Sequence, residues 1–331
     1  MPDQTTTEQF RKQCGLVADA WLRGRVVPFL GAGVNLCDRP DGPTHWQSPG
    51  ERIGFPSGRE LAQYLTEKYH YPVSENCTIC GQKGFQAELD LARVSQYGVV
   101  QLDVGPLYET LRTVFTAPLE PTSVHRFLAE VPLPNHPDHE EDRYPLIVTT
   151  NYDDLTEQAL GEGSFDLVFY NPLDDPPRFW HKAPNQEPKR IDGDANRYPY
   201  HFFDKRPVIL KIHGTIDRAD KKLDGFVITE DDYIQYLAEE PLENYLPSAL
   251  LTKMREMHHL LFLGYSMKDW NFRVFLRRLN RNPKERYKAW AVLLTDDETE
   301  EQFWSNKGIN ILNVKMNTFI GELRTQISKL T

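Results

Sequence analysis

Apolar positions along this chain follow two rhythms, one of helices and one of fully buried strands. Between residues 8 and 22, Phe10, Leu16, Val17, Ala20 and Trp21 recur at helical spacing, and Gly24 ends the pattern. Residues 25–30, Arg-Val-Val-Pro-Phe-Leu, then form an apolar run that predicts a short buried strand. The same kind of run returns at 145–150, 165–170, 207–212, 260–263, 288–294 and 309–314. These runs show no polar alternation, as expected for strands covered on both faces. Helical patterns separate them: one opened by the capping box Ser57-Gly-Arg-Glu60, others at 85–97, 102–115 and 123–130, a helix through Leu160, one at about 242–259, one starting near Lys268, and a closing helix to Leu330.

Strands alternating with helices predict an α/β fold: a Rossmann-like, mostly parallel sheet with helices on both faces. The helical segments between 57 and 131 read as an inserted helical layer. Residues 171–205, rich in Pro, Asp and Asn and poor in apolar periodicity, read as a long surface insertion. Residues 38–55 read as a loop able to fold over whatever the preceding glycine turn binds, and 131–144 as an exposed connection. The expected organisation is one domain over 1–331 carrying these insertions.

Charge and cysteine usage narrow the function. With 38 basic against 48 acidic residues the net charge is −10, which argues against a nucleic-acid backbone as the main partner. Arg273, Arg277, Arg278 and Arg281 fall at near-helical spacing, the mark of a solvated helix face or an interface. No apolar run reaches membrane-spanning length and the N-terminal stretch lacks the apolar core of a signal peptide, so a cytoplasmic protein with no membrane association is expected. Four cysteines in 331 residues do not make a disulfide scaffold.

In sheets of this kind ligands bind outside the carboxyl ends of the strands. Four predicted strands end in loops with chemical potential. Gly31-Ala32-Gly33-Val34-Asn35 is a glycine turn whose backbone can approach a phosphate, although Leu36 stands where a full dinucleotide fingerprint has a third glycine, and an ordinary strand-to-helix turn looks the same. Asn151-Tyr152-Asp153 offers an amide for ribose hydroxyls or water and a carboxylate; either residue also suits a helix N-cap. His213-Gly214 ends an apolar strand broken only by Lys211, a place for a general base titrating near neutrality or for a merely satisfied polar group. Gly264-Tyr265-Ser266 places a small hydroxyl after a glycine, with Asp269 and Asn271 beyond it as helix caps or ligand contacts.

Taken together and in this order, these four segments resemble the sirtuin-like family, specifically its bacterial branch associated with phage defence. Gly31-Ala32-Gly33 is similar to the family's first nucleotide loop, Asn151 and Asp153 to its Asn-x-Asp element, His213-Gly214 to its catalytic His-Gly, and Gly264-Tyr265-Ser266 to its later Gly-x-Ser loop. The resemblance implies NAD bound across the crevice as substrate, with Asn151 and His213 catalytic and Gly31, Ala32, Gly33, Asn35, Asp153, Gly264 and Ser266 binding it. Asn35 replaces the serine usual in deacylating members. Those members also carry a four-cysteine zinc module between the His-Gly and Gly-x-Ser elements, whereas residues 215–263 contain no cysteine.

The one close cysteine pair, Cys77 and Cys80, lies far upstream and needs two more ligands for a tetrahedral site, from among Cys14, Cys37, His45 or His70; His136 and His139 sit in a Pro-rich connection. No metal is expected. The expected activity is therefore NAD glycohydrolysis, giving nicotinamide and ADP-ribose in a regulated, NAD-depleting defence effector. A non-catalytic NAD or ADP-ribose sensor and a protein deacylase are the rival readings. The resemblance further implies a homo-oligomer or a partner such as a HerA-type ATPase or a short argonaute.

Overall fold

The computed structural model describes residues 4–40, 45–73, 89–131, 144–192, 195–238, 244–256, 259–265, 288–294 and 298–331. The first helix, α1 (Gln4–Leu22), leads into β1 (Val26–Leu30), which runs into a 3-10 turn at Ala32–Leu36. Helices α2 (Gly58–Lys68), α3 (Leu91–Leu102), α4 (Val104–Phe115) and α5 (Ser123–Glu130) precede β2 (Leu146–Thr149) and the short α6 (Leu155–Leu160). Strands β3 (Asp166–Asn171), β4 (Arg178–Lys182), β5 (Lys189–Arg190), β6 (Val208–Lys211), β7 (Gly214–Thr215) and β8 (Gly225–Phe226) follow. The chain continues through α7 (Glu230–Ala238), α8 (Ser248–Glu256), β9 (His259–Leu263), β10 (Lys288–Leu293), α9 (Glu298–Asn306), β11 (Ile309–Asn313) and α10 (Met316–Leu330).

Among the described residues nine strands form one sheet in the order β11-β10-β9-β1-β2-β6-β3-β4-β5, parallel from β11 to β3, with β4 and β5 added antiparallel at one edge. This is the Rossmann-like, mostly parallel α/β architecture that the unbroken apolar runs predict. Each central strand buries both faces. Val27 and Phe29 join Leu146, Val148, Leu260 and Phe262 in one core, while Val26 and Leu30 join Ile147, Leu261 and Leu263 in the other. Helices α7, α8 and α9 seal the first face through Tyr236, Leu250, Met254 and Trp304. Helices α1, α5 and α10 seal the second, with Trp21 tilted against Phe127 at 5.6 Å.

Pro28 in a central strand is at first sight out of place. Leu30 O accepts a hydrogen bond from Thr150 N, so residues of that parity in β1 face β2, and the β1–β2 ladder starts only at Phe29. The donor that proline lacks thus points to where pairing has not yet begun.

Two stretches differ from expectation. Helix α5 belongs to the layer on the sheet, whereas α2, α3 and α4 gather with Trp46, Phe55, Tyr152 and Phe226 in a separate core near the carboxyl end of β2. Residues 171–205, read as a surface insertion, contribute β4 and β5 to the sheet and bury Phe179, Ile191, Ala195, Phe202 and Phe203. Strand β4 alternates between half-buried and buried positions, and its buried His181 is satisfied by the Tyr198 hydroxyl at 3.0 Å and Asp166 at 3.4 Å.

No helix among the described residues is long and apolar enough to cross a membrane.

Candidate functional site

Four adjacent strands, β9, β1, β2 and β6, carry the four loops, and parallel pairing brings all four carboxyl ends to one edge of the sheet. Strand order reverses beside β1: the chain builds β2, β6 and β3 on one flank and β9, β10 and β11 on the other. Such a switch opens a crevice between the diverging connections.

The glycines on the β1 side pack backbone on backbone. Gly31 N donates to Leu263 O and Gly33 N to Gly264 O, both at 2.9 Å. A Cβ on Gly31 would lie 2.7 Å from Gly264 O, and one on Gly33 2.8 Å from Gly264 Cα. Gly264 has φ +70°, and a Cβ there would meet Val34 N at 2.4 Å. The Gly31-Ala32-Gly33 turn therefore owes its glycines to the β9 loop, and the N–H groups of Gly31 and Gly33 are already engaged. Ser266 lies outside the described residues, as do Asp269, Asn271 and the four arginines at 273–281.

On the β2 side, Asn151 is buried, its backbone N–H donates to Thr149 Oγ1 at 3.0 Å and its Nδ2 to Gly31 O at 3.3 Å. Asp153 serves two partners, accepting from Leu155 N at the start of α6 at 3.1 Å and from Asn35 Nδ2 at 2.8 Å. Asp153, one residue before the N-cap position of α6, thus ties the start of that helix to the glycine turn. Asn35 Oδ1 is buried with no hydrogen-bond partner among the described residues.

His213 is 4% exposed, edge-on to the rings of Tyr233 and Tyr236 at 5.7 and 5.5 Å. Burial pushes its imidazole down to about 4, so the ring is neutral near pH 7. Gly214, with φ +103°, lets β7 approach β8 where a Cβ would stand 2.0 Å from Gly225 O.

Three polar residues around these loops are absent from the sequence-based list. Lys211 is fully buried at the end of β6, and its Nζ donates to Tyr152 O at 3.1 Å, Asp153 O at 2.5 Å and Glu157 Oε1 at 2.8 Å. Burial raises the Glu157 carboxyl, with the Lys211 ammonium pulling the other way. Its only trace in the sequence is a charge inside an otherwise apolar strand. Arg218 grips Asp154; burial alone would raise the Asp154 carboxyl, but the guanidinium holds it below its ordinary value. His125 on α5 is buried beside the glycine turn, since Thr122 Oγ1, 2.8 Å from its Nδ1, donates to Val34 O at 3.0 Å. Its Nε2 has no partner among the described residues, and burial lowers its pKa to about 4 against the opposing charges of Asp153 and Asp38.

The described part of the 38–55 loop is anchored. Arg39 donates to Ile53 O, Phe55 O and Glu60, while Trp46 and Phe55 are buried against the α2–α4 layer. Burial would raise the Glu60 carboxyl, yet hydrogen bonds from Arg39, Ser57 N and Trp46 N hold it at about 2. Among the described residues no group of three or more His, Cys, Asp and Glu side chains is arranged to hold a metal ion; Cys77, Cys80, His136 and His139 lie outside them.

Known proteins resemble the chain in the same region. Residues 145–312 match the family described as a SIR2-like domain, a stretch that includes Asn151, Asp153, His213 and Gly264. Over 302 residues, 90% of the chain, the sequence is 22% identical to defense-associated sirtuin 2 of Bacillus subtilis. The chain spans about a quarter of that relative's length, 24%.

Proposed function

The chain belongs to the SIR2-like domain family, and on that footing we propose that it is an NAD glycohydrolase, cleaving the nicotinamide-ribose bond of NAD as the effector step of a defence response. Domains of this family act on NAD, and the relative's name ties it to defence. The observation that carries the reading is the pairing, at one sheet edge, of a neutral, buried His213 with the Asn151 amide. Asn151 is oriented by its Nδ2 bond to Gly31 O and His213 by its ring contacts with Tyr233 and Tyr236, which supports an amide and an imidazole each held in place by the fold.

In the proposed reaction the bond between the ribose C1′ and the nicotinamide nitrogen breaks, and its electron pair leaves with nicotinamide. Water adds to C1′ from the vacated position. His213 takes the proton that this water sheds, or one from a ribose hydroxyl, and Asn151 Oδ1 accepts a hydrogen bond that orients the same group. The oxocarbenium-like state would form beside the buried side chains of Asn151 and His213, where fixed dipoles act strongly. Asn35 Oδ1, buried and without a donor among the described residues, suits a ribose hydroxyl or an ordered water. In this reading Gly31, Ala32, Gly33 and Gly264 border the pyrophosphate, shaping the crevice by the close approach of two turns.

The test is product analysis after incubation with NAD, with and without an acetylated peptide. Equal amounts of nicotinamide and free ADP-ribose, independent of peptide, are expected. An acylated ADP-ribose formed only with peptide would make the protein a deacylase, and bound but intact NAD would make it a sensor. Unchecked NAD loss would harm the cell that makes the protein, so the same reading includes control by self-association or by a partner such as a HerA-type ATPase or a short argonaute.

A further inference from the structure

Strand β6 and the loop after it do more than present His213. An ammonium has three donors, and all three of those on Lys211 are met, by Tyr152 O, Asp153 O and Glu157 Oε1. The cation therefore has no capacity left for a ligand. Burying a charge is costly even when it is paired. The neighbouring positions Val208, Ile209, Leu210 and Ile212 are fully buried apolar residues, so packing alone would be served by another of that kind. What lysine adds is a donor for two carbonyls that the Asn151 turn points inward.

From the outer side Arg218 holds the next residue of the same turn. Its Nε and Nη2 donate to Asp154 Oδ2 and Oδ1 at 2.5 and 2.9 Å, the forked geometry that fixes orientation as well as distance, and its Nη1 donates to Thr116 O at 2.6 Å. Between these two cations the backbone adds Ile212 N to Thr149 O and Ile216 N to Tyr152 O, both at 3.0 Å. Thr149, Tyr152, Asp153 and Asp154 are thus all bonded from residues 211–218, the segment that carries His213.

Resting on the assignment of Asn151 and His213 as the reacting pair, we propose that Lys211 and Arg218 are positioning residues that lock the Asn151 turn in register with His213. Neither touches substrate. One segment sets the distance between amide and imidazole, with Lys211 fixing the two carbonyls that follow Asn151 and Arg218 fixing the carboxylate after them. Asn151 shifts when Tyr152 and Asp153 do, and a displacement of about 1 Å at a reacting group lowers turnover about a hundredfold.

Three variants separate positioning from simple stability: Lys211→Met, Lys211→Met with Glu157→Leu, and Arg218→Gln, each followed by unfolding temperature, ADP-ribose affinity, and kcat and KM for NAD. Lys211→Met strands Glu157 and lowers the unfolding temperature. The double variant regains it, because apolar replacement of a buried pair is well tolerated, while its kcat stays about a hundredfold down with KM and ADP-ribose affinity little changed. Arg218→Gln, at a partly exposed position, lowers the unfolding temperature less than Lys211→Met does and loses kcat without losing KM.

Wild-type kcat in the double variant and in Arg218→Gln would overturn the proposal, and should the Lys211 variants not fold, wild-type kcat in Arg218→Gln alone does so. If the wild-type protein turns over no NAD, the glycohydrolase reading fails by itself. Hydrogen exchange then decides the positioning claim: faster exchange of the 151–155 amides in Arg218→Gln, with β6 unchanged, upholds it, and unchanged exchange overturns it.

Discussion

The two halves of the crevice are built on opposite principles. On the β1–β9 side three glycines let one turn lie on another, joined backbone to backbone by N–H to carbonyl bonds of 2.9 Å. On the β2–β6 side the Asn151 turn is held by charge: Lys211 and Glu157 beneath it, Arg218 and Asp154 outside it, and Asn35 reaching across to Asp153. Shape alone suffices where backbone must border an elongated ligand. Where an amide and an imidazole must meet one atom, directional bonds fix the geometry, and ion pairs make those bonds strong. Asn35 and Asn151 are the stitches between the halves, since Asn151 Nδ2 bonds Gly31 O.

The contrast predicts how each half fails. Lys211→Met alone removes one partner of a buried pair and should cost about 3–5 kcal/mol, seen as a fall in denaturant midpoint without a change in slope. Gly264→Ala, adding a Cβ 2.4 Å from Val34 N at φ +70°, should cost about 2–4 kcal/mol, combining the left-handed penalty with overpacking. Its effect differs in kind: no later charge change rescues it, whereas Glu157→Leu rescues Lys211→Met. Arg39→Met, which removes the anchor of the 38–55 loop, should cost about 2 kcal/mol. Arg23→Ala breaks the exposed pair with Asp19, far from both halves, and should change stability by less than about 0.5 kcal/mol.

Acid sharpens the contrast further. His213 and His125 have folded pKa values of about 4, below the ordinary value near 6.5, because burial favours the neutral ring. Their contribution to stability is whole above pH about 6.5 and is lost as pH falls from there towards 4. Glu60, held at about 2, contributes above its ordinary value near 4.3 and loses that contribution only as pH falls towards 2. Thermal midpoints measured from pH 7 to 4 should therefore decline, and His213→Phe should flatten the decline. If His213 acts as the proposed base, the acid limb of NAD turnover should fall near pH 4 to 5 rather than near 6.5; a limb at 6.5 would mean that the imidazole is hydrated when it acts.

Much of this was legible in the sequence. Strands buried on both faces read as unbroken apolar runs, and their ends delivered Gly31, Asn151, His213 and Gly264 to a common edge. Asn151, Asp153 and His213 stood out because amide, carboxylate and imidazole followed buried strands directly. Lys211 did not, because a charge in a strand reads as an interruption until its three acceptors, brought from residues 152, 153 and 157, are seen. The glycines were visible but their reason was not, since the partner that requires them, the β9 turn, is more than two hundred residues away. Strand β4 was hidden for a similar reason: its inward His181 looks polar until Asp166 and Tyr198 satisfy it.

The central claim, that this crevice hydrolyses NAD through Asn151 and His213, is tested most directly by nicotinamide release from NAD by the wild-type protein beside His213→Ala and Asn151→Ala, with ADP-ribose binding measured on all three. The account predicts release by the wild type and a fall of about a hundredfold or more in each variant, with ADP-ribose still bound. Release at the wild-type rate from either variant, or NAD held intact by the wild type, would contradict it.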